Sequence, residues 1–210
     1  MQKTERTPDF SLFLDILYTL ETINAPYMVI GAFAGALYGI SRITYDIDIV
    51  VDLTDEHIEA LAAAYPLPRY YADSVQMRDS IDLGIMFNII DTTRGEKADL
   101  VPLTMDSRYQ QAFQRRIRQV IPISDEESIE ISCARPEDVI LGKLMAWAEG
   151  QSRRHETDIY EIMLWHYLSS LKQTDIDEAY IDAQVQILGQ NVVKLWKAIK
   201  EGAEREAKNG

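Results

Sequence analysis

The spacing of apolar residues predicts a mixed first half and a helical second half. Apolar residues recur every three or four positions over residues 10–23, as in an amphipathic helix, whereas Tyr27–Ile30 is a short apolar run suited to a buried strand. The same criteria predict further helices at 32–38, 54–64 and 106–116, and strands at 45–53, 84–91, 97–101, 120–123 and 129–133. From residue 136 the pattern is helical, with predicted helices at 136–149, 155–171, 175–188 and 191–208. We therefore predict an α+β fold, with an α/β domain over residues 1–134 and a helical region over residues 135–210.

The segment 45–53 alternates aspartate with aliphatic residues. Such alternation predicts a strand whose Asp46 and Asp48 side chains project from the same face. Two carboxylates this close repel each other unless a cation or a proton intervenes, and hard cations such as Mg²⁺ bind oxygen ligands. Asp99, on the predicted strand 97–101, is the candidate third carboxylate. The alternative is a solvated strand edge with no metal.

Gly31 stands between a predicted strand and a predicted helix. A glycine lets the backbone pass close to a phosphate, and the N–H groups at the start of a helix attract anions. This position is therefore a candidate phosphate site, and the alternative is that Gly31 simply makes a turn.

Residues 27–52 resemble the signature of the DNA polymerase β-type nucleotidyltransferase superfamily. They are most similar to the AbiEii-like proteins of toxin–antitoxin and abortive-infection systems. The resemblance implies a nucleotidyltransferase-like mixed β-sheet flanked by helices. It also implies that Asp46, Asp48 and Asp99 hold Mg²⁺ or Mn²⁺ and are catalytic. The nucleotide-binding residues that it implies in this stretch are Gly31, Ala32, Arg42 and Thr44.

The helical half extends this resemblance. Residues 135–144 resemble the "PED…K" helix of those proteins, and residues 153–160 resemble their "R-x-x-D" segment. By that similarity Lys143 approaches the nucleotide phosphates, and Asp158 is a further catalytic residue near the acceptor. The alternatives are a solvated helix position for Lys143, and a helix cap or an ion pair with Arg154 for Asp158.

One residue departs from the family pattern. Catalytic members of the superfamily often carry serine after the glycine, where its hydroxyl binds a phosphate, but this chain has Ala32. The departure supports a second hypothesis, a catalytically inactive member that acts as a nucleotide-binding, antitoxin-like or regulatory interaction module.

Composition limits the range of partners. The 34 acidic and 21 basic residues give a formal net charge of −13, which repels long polyphosphates and argues against broad DNA binding. The chain has one cysteine, no apolar leader segment and no apolar run long enough to span a membrane, so we expect a cytoplasmic protein.

These observations predict a Mg²⁺-dependent nucleotidyltransferase that moves a nucleotidyl group from an NTP to an acceptor. The sequence leaves tRNA, protein and small molecules open as acceptors. The resemblance further implies the toxin-like part of a toxin–antitoxin or phage-defence system, with a cognate antitoxin or a second copy of the chain as partner.

Overall fold

The computed structural model describes residues 11–124, 126–169 and 175–209, which pack into two compact units. We call residues 11–29 and 43–133 the sheet unit, and residues 30–42 and 134–209 the helical unit. The predicted helices 10–23 and 155–171 extend in part outside the described residues. The helical unit combines two distant stretches of chain, and the predicted division after residue 134 stays a prediction of domain organisation.

The described residues contain one seven-stranded mixed sheet in the order β3-β4-β5-β2-β1-β7-β6. Pairs β1–β7 and β2–β5 are parallel, whereas β3–β4, β4–β5 and β6–β7 are antiparallel. The strands are β1 Tyr27–Ile30, β2 Asp46–Val51, β3 Tyr70–Tyr71, β4 Phe87–Asp91, β5 Glu96–Pro102, β6 Ile117–Pro122 and β7 Ser128–Cys133. The mixed sheet with its accompanying helices confirms the predicted α+β class.

Four α-helices of the described chain belong to the sheet unit, namely α1 Ser11–Thr22, α3 Asp55–Ala64, α4 Ser74–Leu83 and α5 Ser107–Arg115. A short 3-10 helix, Leu103–Met105, follows β5. Helix α1 buries one apolar stripe at the spacing that the sequence shows: Leu12, Phe13, Ile16, Leu17 and Leu20. Thr54 caps α3 by accepting a hydrogen bond from the backbone N–H of His57.

Helix α4 is absent from the sequence prediction. It buries only Met77 and Ser80, so its apolar stripe is too weak to show as a helical period. Its end signals are nevertheless regular. Asp73 caps the first turn by accepting from the N–H of Gln76, and Gly84 ends the helix in the left-handed conformation at φ 62°. Strand β4 consequently begins at Phe87 rather than at the predicted residue 84.

The described helical unit contains α2 Gly31–Ala36, α6 Pro136–Gly150, α7 Arg153–Leu168, α8 Glu178–Leu188 and α9 Gln190–Asn209. Pro136 begins α6 at the first helical position, where a missing N–H costs nothing. The core of the unit is apolar and includes the fully buried Ile140, Leu144, Ile159 and Ile162. In the described ranges, no helix is both long enough and apolar enough to cross a membrane.

Candidate functional site

The two aspartates of β2 lie beside β5, in the interior of the sheet. The parallel register places Asp46 opposite Lys97 and Asp48 opposite Asp99. Residues two positions apart on a strand face the same side, and directly paired residues on adjacent strands do too, so these four side chains share one face. The opposite face is apolar and buried, with Ile47 at 0% exposure. Since β2 is flanked by β5 and β1, the two aspartates lie on an interior strand of the sheet and not on an edge strand. Whether they hold a metal stays a prediction.

Asp99 is the most buried of the three carboxylates, with a residue exposure of 6%. The ammonium of Lys97 lies 2.7 Å from both of its oxygens. The side-chain amide of Asn88, its register partner on β4, donates a further hydrogen bond to Oδ1. Its charge is therefore compensated within the sheet.

Thr44 fixes the orientation of Asp46. Its side chain is buried, and its hydroxyl lies 2.5 Å from Asp46 Oδ1 and 3.1 Å from the Asp46 backbone oxygen. The family resemblance implies a nucleotide-binding role for Thr44, and that role stays a prediction. Asp46 and Asp48 are themselves only partly buried.

The donor chemistry of this face fits a magnesium ion. Asp46 and Asp48 offer hard oxygen ligands, and magnesium in proteins is commonly held by one or two carboxylates with waters and substrate phosphates. In the parts of the chain that the structure describes, no three His, Cys, Asp or Glu side chains come together closely enough to hold a metal. The residues therefore fit a magnesium site in which the protein supplies two carboxylates, those of Asp46 and Asp48. The predicted metal-binding role of Asp99 stays a prediction.

In the helical unit, Gly31 starts α2 with a φ of 70°, which glycine adopts at little cost. The following residue, Ala32, is buried at 7% exposure. The structure accounts for glycine at residue 31 by its backbone conformation, and the phosphate-binding roles of Gly31 and Ala32 stay predictions.

Arg42, Lys143 and Asp158 form an ion triad inside the helical unit. Arg42 donates two hydrogen bonds to the carboxylate, Nε to Oδ1 at 2.7 Å and Nη2 to Oδ2 at 2.9 Å. Lys143 Nζ lies 2.6 Å from Asp158 Oδ2. The side chains of Asp158 and Lys143 are 1% and 7% exposed, and that of Arg42 is 27% exposed. The sequence thus singled out three residues that the fold brings together.

The triad decides between the alternatives left open by the sequence. Lys143 is buried, so a solvated helix position is wrong. Ser152 occupies the N-cap of α7, so Asp158 is not the cap. Its ion-pair partners among the described residues are Arg42 and Lys143 rather than Arg154.

Electrostatics keep Asp158 ionised. Burial raises the pKa of its carboxyl group, but the hydrogen bonds from Arg42 and Lys143 outweigh burial, and the net pKa lies below its ordinary value. A carboxylate with a lowered pKa and both oxygens engaged is a poor proton acceptor. This arrangement suits a residue that holds two cationic side chains in place.

Lys97 and Asn88 are the site residues that sequence reasoning did not assign. For Lys97 the signal is present, because it precedes Asp99 by two positions and so shares its strand face. For Asn88 the pairing comes from the antiparallel register of β4 with β5, which the sequence pattern does not specify.

No protein-family model and no curated protein matches the chain. Among solved structures, it is similar to an antigenic nucleotidyltransferase-like protein from Paracoccidioides brasiliensis, with 16% identity over 90% of this chain and 91% of that chain and a TM-score of 0.50. It is also similar to the antibiotic-resistance factor ANT(2'')-Ia, with 15% identity over 95% and 97% of the two chains and a TM-score of 0.45. It is similar as well to JHP933 from Helicobacter pylori, with 15% identity over 94% of this chain and 93% of that chain and a TM-score of 0.42. The first likeness, with the mixed sheet, shows a nucleotidyltransferase-like fold.

Proposed function

We propose that the chain is a Mg²⁺- or Mn²⁺-dependent nucleotidyltransferase that moves a nucleotidyl group from an NTP to an acceptor hydroxyl. The observation that carries the proposal is the register of β2 and β5, which puts Asp46, Asp48 and Asp99 on one face of the sheet. The resemblance of residues 27–52 and 135–160 to AbiEii-like proteins supports the narrower proposal of a toxin-like component paired with an antitoxin.

In the proposed reaction the acceptor oxygen forms a bond to the α-phosphorus, and the bond between that phosphorus and the bridging oxygen breaks to release pyrophosphate. Asp46 and Asp48 would hold the ion, and Thr44 orients Asp46. When bound, a divalent cation neutralises phosphate charge that builds up in the transition state. The acceptor hydroxyl gives its proton to solvent water, because both oxygens of Asp99 are held by Lys97. The catalytic role of Asp99 stays a prediction.

We assign Asp158 a positioning role instead of the predicted catalytic role, because its two oxygens are occupied by Arg42 and Lys143. Arg42 is the more accessible of the two cations, and a planar guanidinium suits phosphate oxygens, so we propose Arg42 as the main phosphate contact of the helical unit. Lys143 and Gly31 complete the proposed nucleotide-binding set.

A second candidate function is a catalytically inactive nucleotide-binding module. Ala32 favours it, because alanine has no hydroxyl to donate to a phosphate and its side chain is buried. The two candidates separate experimentally, since a binding module takes up Mg²⁺-NTP without forming a product.

The test is transfer from each of the four α-³²P-labelled NTPs, with Mg²⁺ or Mn²⁺, to total tRNA, protein extract and the chain itself. We expect label transfer in the wild type. The double substitution Asp46→Asn and Asp48→Asn removes both ion ligands with little change of shape, and should reduce transfer by on the order of 100-fold or more.

Asp52→Asn is the matched control, because Asp52 follows β2 and is exposed, so transfer should be unchanged. Thermal unfolding of all variants establishes that they fold. Mg²⁺-NTP binding by calorimetry without any product would favour the binding module. Neither transfer nor binding with any of the four nucleotides would refute both candidates.

A further inference from the structure

Large apolar side chains are exposed together where α4 meets the 3-10 helix that follows β5. Four residues there have high exposed fractions: Leu83 (72%), Ile85 (50%), Met86 (44%) and Met105 (47%). The two segments are in contact, because a Cβ added at Gly84 would lie 3.4 Å from Met105 Cα. Thr104 Oγ1 also donates a hydrogen bond to the Ile81 carbonyl oxygen at 3.2 Å. Single exposed apolar residues are common on proteins, whereas a contiguous group of them marks an interaction site.

Two exposed aspartates of α4 border this apolar group. Asp79 precedes Asp82 by three positions and Leu83 by four, and residues at these spacings are neighbours on a helix surface. Neither carboxylate has an ion-pair partner within the described ranges of the chain. Helix α4 has one basic residue, Arg78, and its guanidinium donates to two carboxylates of α3 instead. Both negative charges are therefore left to solvent or to a partner.

We call these six residues the α4 surface: Asp79, Asp82, Leu83, Ile85, Met86 and Met105. The basic residue that follows Met105 most closely in the chain, Arg108, is paired with Asp106, with Nε 2.9 and 2.8 Å from the two carboxylate oxygens. This pair adds no net positive charge beside the apolar group. The α4 surface is thus apolar and negatively charged at once.

These properties restrict what can cover the α4 surface. Nucleic acid and anionic lipid would be repelled by its carboxylates and by the net charge of −13. A symmetric pairing of two copies of the chain would bring four carboxylates together, which like-charge repulsion opposes. A partner that carries apolar and basic residues on one face complements both properties.

We infer that the α4 surface binds a segment of a partner protein, an amphipathic helix whose apolar face is bordered by lysine or arginine. The apolar side chains of that helix would cover Leu83 and the two methionines, which adapt readily to a partner's shape. Its basic residues would pair with Asp79 and Asp82. The inference goes beyond nucleotidyl transfer and uses none of the residues assigned to that reaction, so either can fail without the other.

The test measures binding of two synthetic, fluorescein-labelled amphipathic helices to the full chain by fluorescence polarisation at low salt. One peptide consists of leucine and lysine, and the other has glutamate in place of every lysine. The lysine peptide should bind at least about 10-fold more tightly. Leu83→Ser combined with Met105→Ser should weaken its binding about 10-fold. Asp79→Asn combined with Asp82→Asn should weaken it about threefold at low salt, and added salt should reduce that difference.

Two matched controls lie elsewhere on the surface of the chain. Ile187→Ser replaces an 80% exposed apolar residue of α8, and Glu149→Gln replaces an exposed carboxylate of α6. Both should leave binding of the lysine peptide unchanged. Losses as large as those of the α4-surface variants would overturn the inference, because binding would then depend only on overall charge and apolarity.

Other results would also overturn it. These are no preference for the lysine peptide, or no binding of either peptide at about 1 mM. A dimer in analytical ultracentrifugation that Leu83→Ser with Met105→Ser dissociates would assign the surface to a second copy of the chain. Hydrogen exchange of the wild type decides the matter even if a variant fails to fold. Bound lysine peptide should slow exchange over residues 79–86 and 103–106, and protection only elsewhere would overturn the inference.

Discussion

Substitution of Asp158 by asparagine tests how the helical unit balances its buried charges. The triad holds two cations and one anion, so Asp158→Asn leaves Arg42 and Lys143 facing a neutral amide. Breaking a buried ion pair by removing one partner costs about 3–5 kcal/mol. The cost falls mainly on Lys143, because its buried ammonium has no access to water once the carboxylate is gone. Arg42 is 27% exposed, so its guanidinium can be hydrated instead. We therefore expect a loss of about 4 kcal/mol in the free energy of unfolding.

Lys143→Met is the informative comparison. It removes a buried cation but leaves Asp158 in its two-hydrogen-bond pair with Arg42, so the remaining charges balance. Well-packed apolar replacements of buried ions are often nearly neutral. We expect a cost of about 1 kcal/mol, well below that of Asp158→Asn. The order of the two costs follows from charge balance and not from the number of hydrogen bonds lost.

Urea unfolding followed by circular dichroism and tryptophan fluorescence measures both costs, and unchanged m-values establish comparable transitions. The pH dependence adds a second readout. Because the pKa of Asp158 is lowered on folding, its contribution is present above the unfolded value of about 4 and is lost as pH falls below it. The difference between the wild type and Asp158→Asn should therefore shrink in acid. A larger cost for Lys143→Met, or a cost below about 1 kcal/mol for Asp158→Asn, would refute this account.

Two further predictions concern single residues in each unit. Burial opposes ionisation of Asp91, but hydrogen bonds led by that from Thr93 lower its pKa to about 2. Asp91→Asn should therefore lower the free energy of unfolding by about 2 kcal/mol at pH 7. Urea unfolding at several pH values should show this difference disappear between about pH 4 and pH 2. A difference that does not change with pH would contradict a lowered pKa for Asp91. Gly39 has a φ of 109°, and a Cβ there would lie 2.5 Å from Trp165 Cβ. Gly39→Ala should lower the free energy of unfolding, measured in urea, by about 3 kcal/mol. Gly189→Ala is the control and should cost clearly less, because Gly189 has a similar φ of 106° but an added Cβ there meets nothing within 4 Å. Equal costs for the two substitutions would show that the clash with Trp165 does not contribute.

Much of the sheet was predictable because several strands carry a local pattern, such as the short apolar run of β1 or the alternation of β2. Alternation of aspartate and aliphatic residues over β2 identifies both the strand and its acidic face, and the aliphatic positions are buried as expected. The pairing of Asp48 with Asp99 was not predictable at the level of register, because register depends on how the whole strand packs rather than on any short pattern. Lys97 shows that the same rule, applied one step further, would have identified its place beside Asp99.

The helical unit shows why other features lay beyond the sequence. Arg42 and Asp158 are 116 positions apart, and Lys143 and Asp158 lie on different helices, so no local periodicity links them. The resemblance named these residues, but their mutual ion pairs come from tertiary packing. Helix α4 was missed for a local reason. With only two buried residues, it has almost no apolar periodicity in its sequence.

The separation of residues 30–42 from the rest of the helical unit also sets an order of events during synthesis. Ser41 bonds to Glu161 through both its backbone N–H and its hydroxyl, and Tyr38 donates to the carbonyl oxygen of Ala134. On the ribosome, the strands of the sheet are all made before these partners emerge. Helix α2 must therefore wait with native-buried residues such as Ala34 unpacked until α6 and α7 have left the exit tunnel. Closing so long a loop is slow, so the helical unit should complete its folding last.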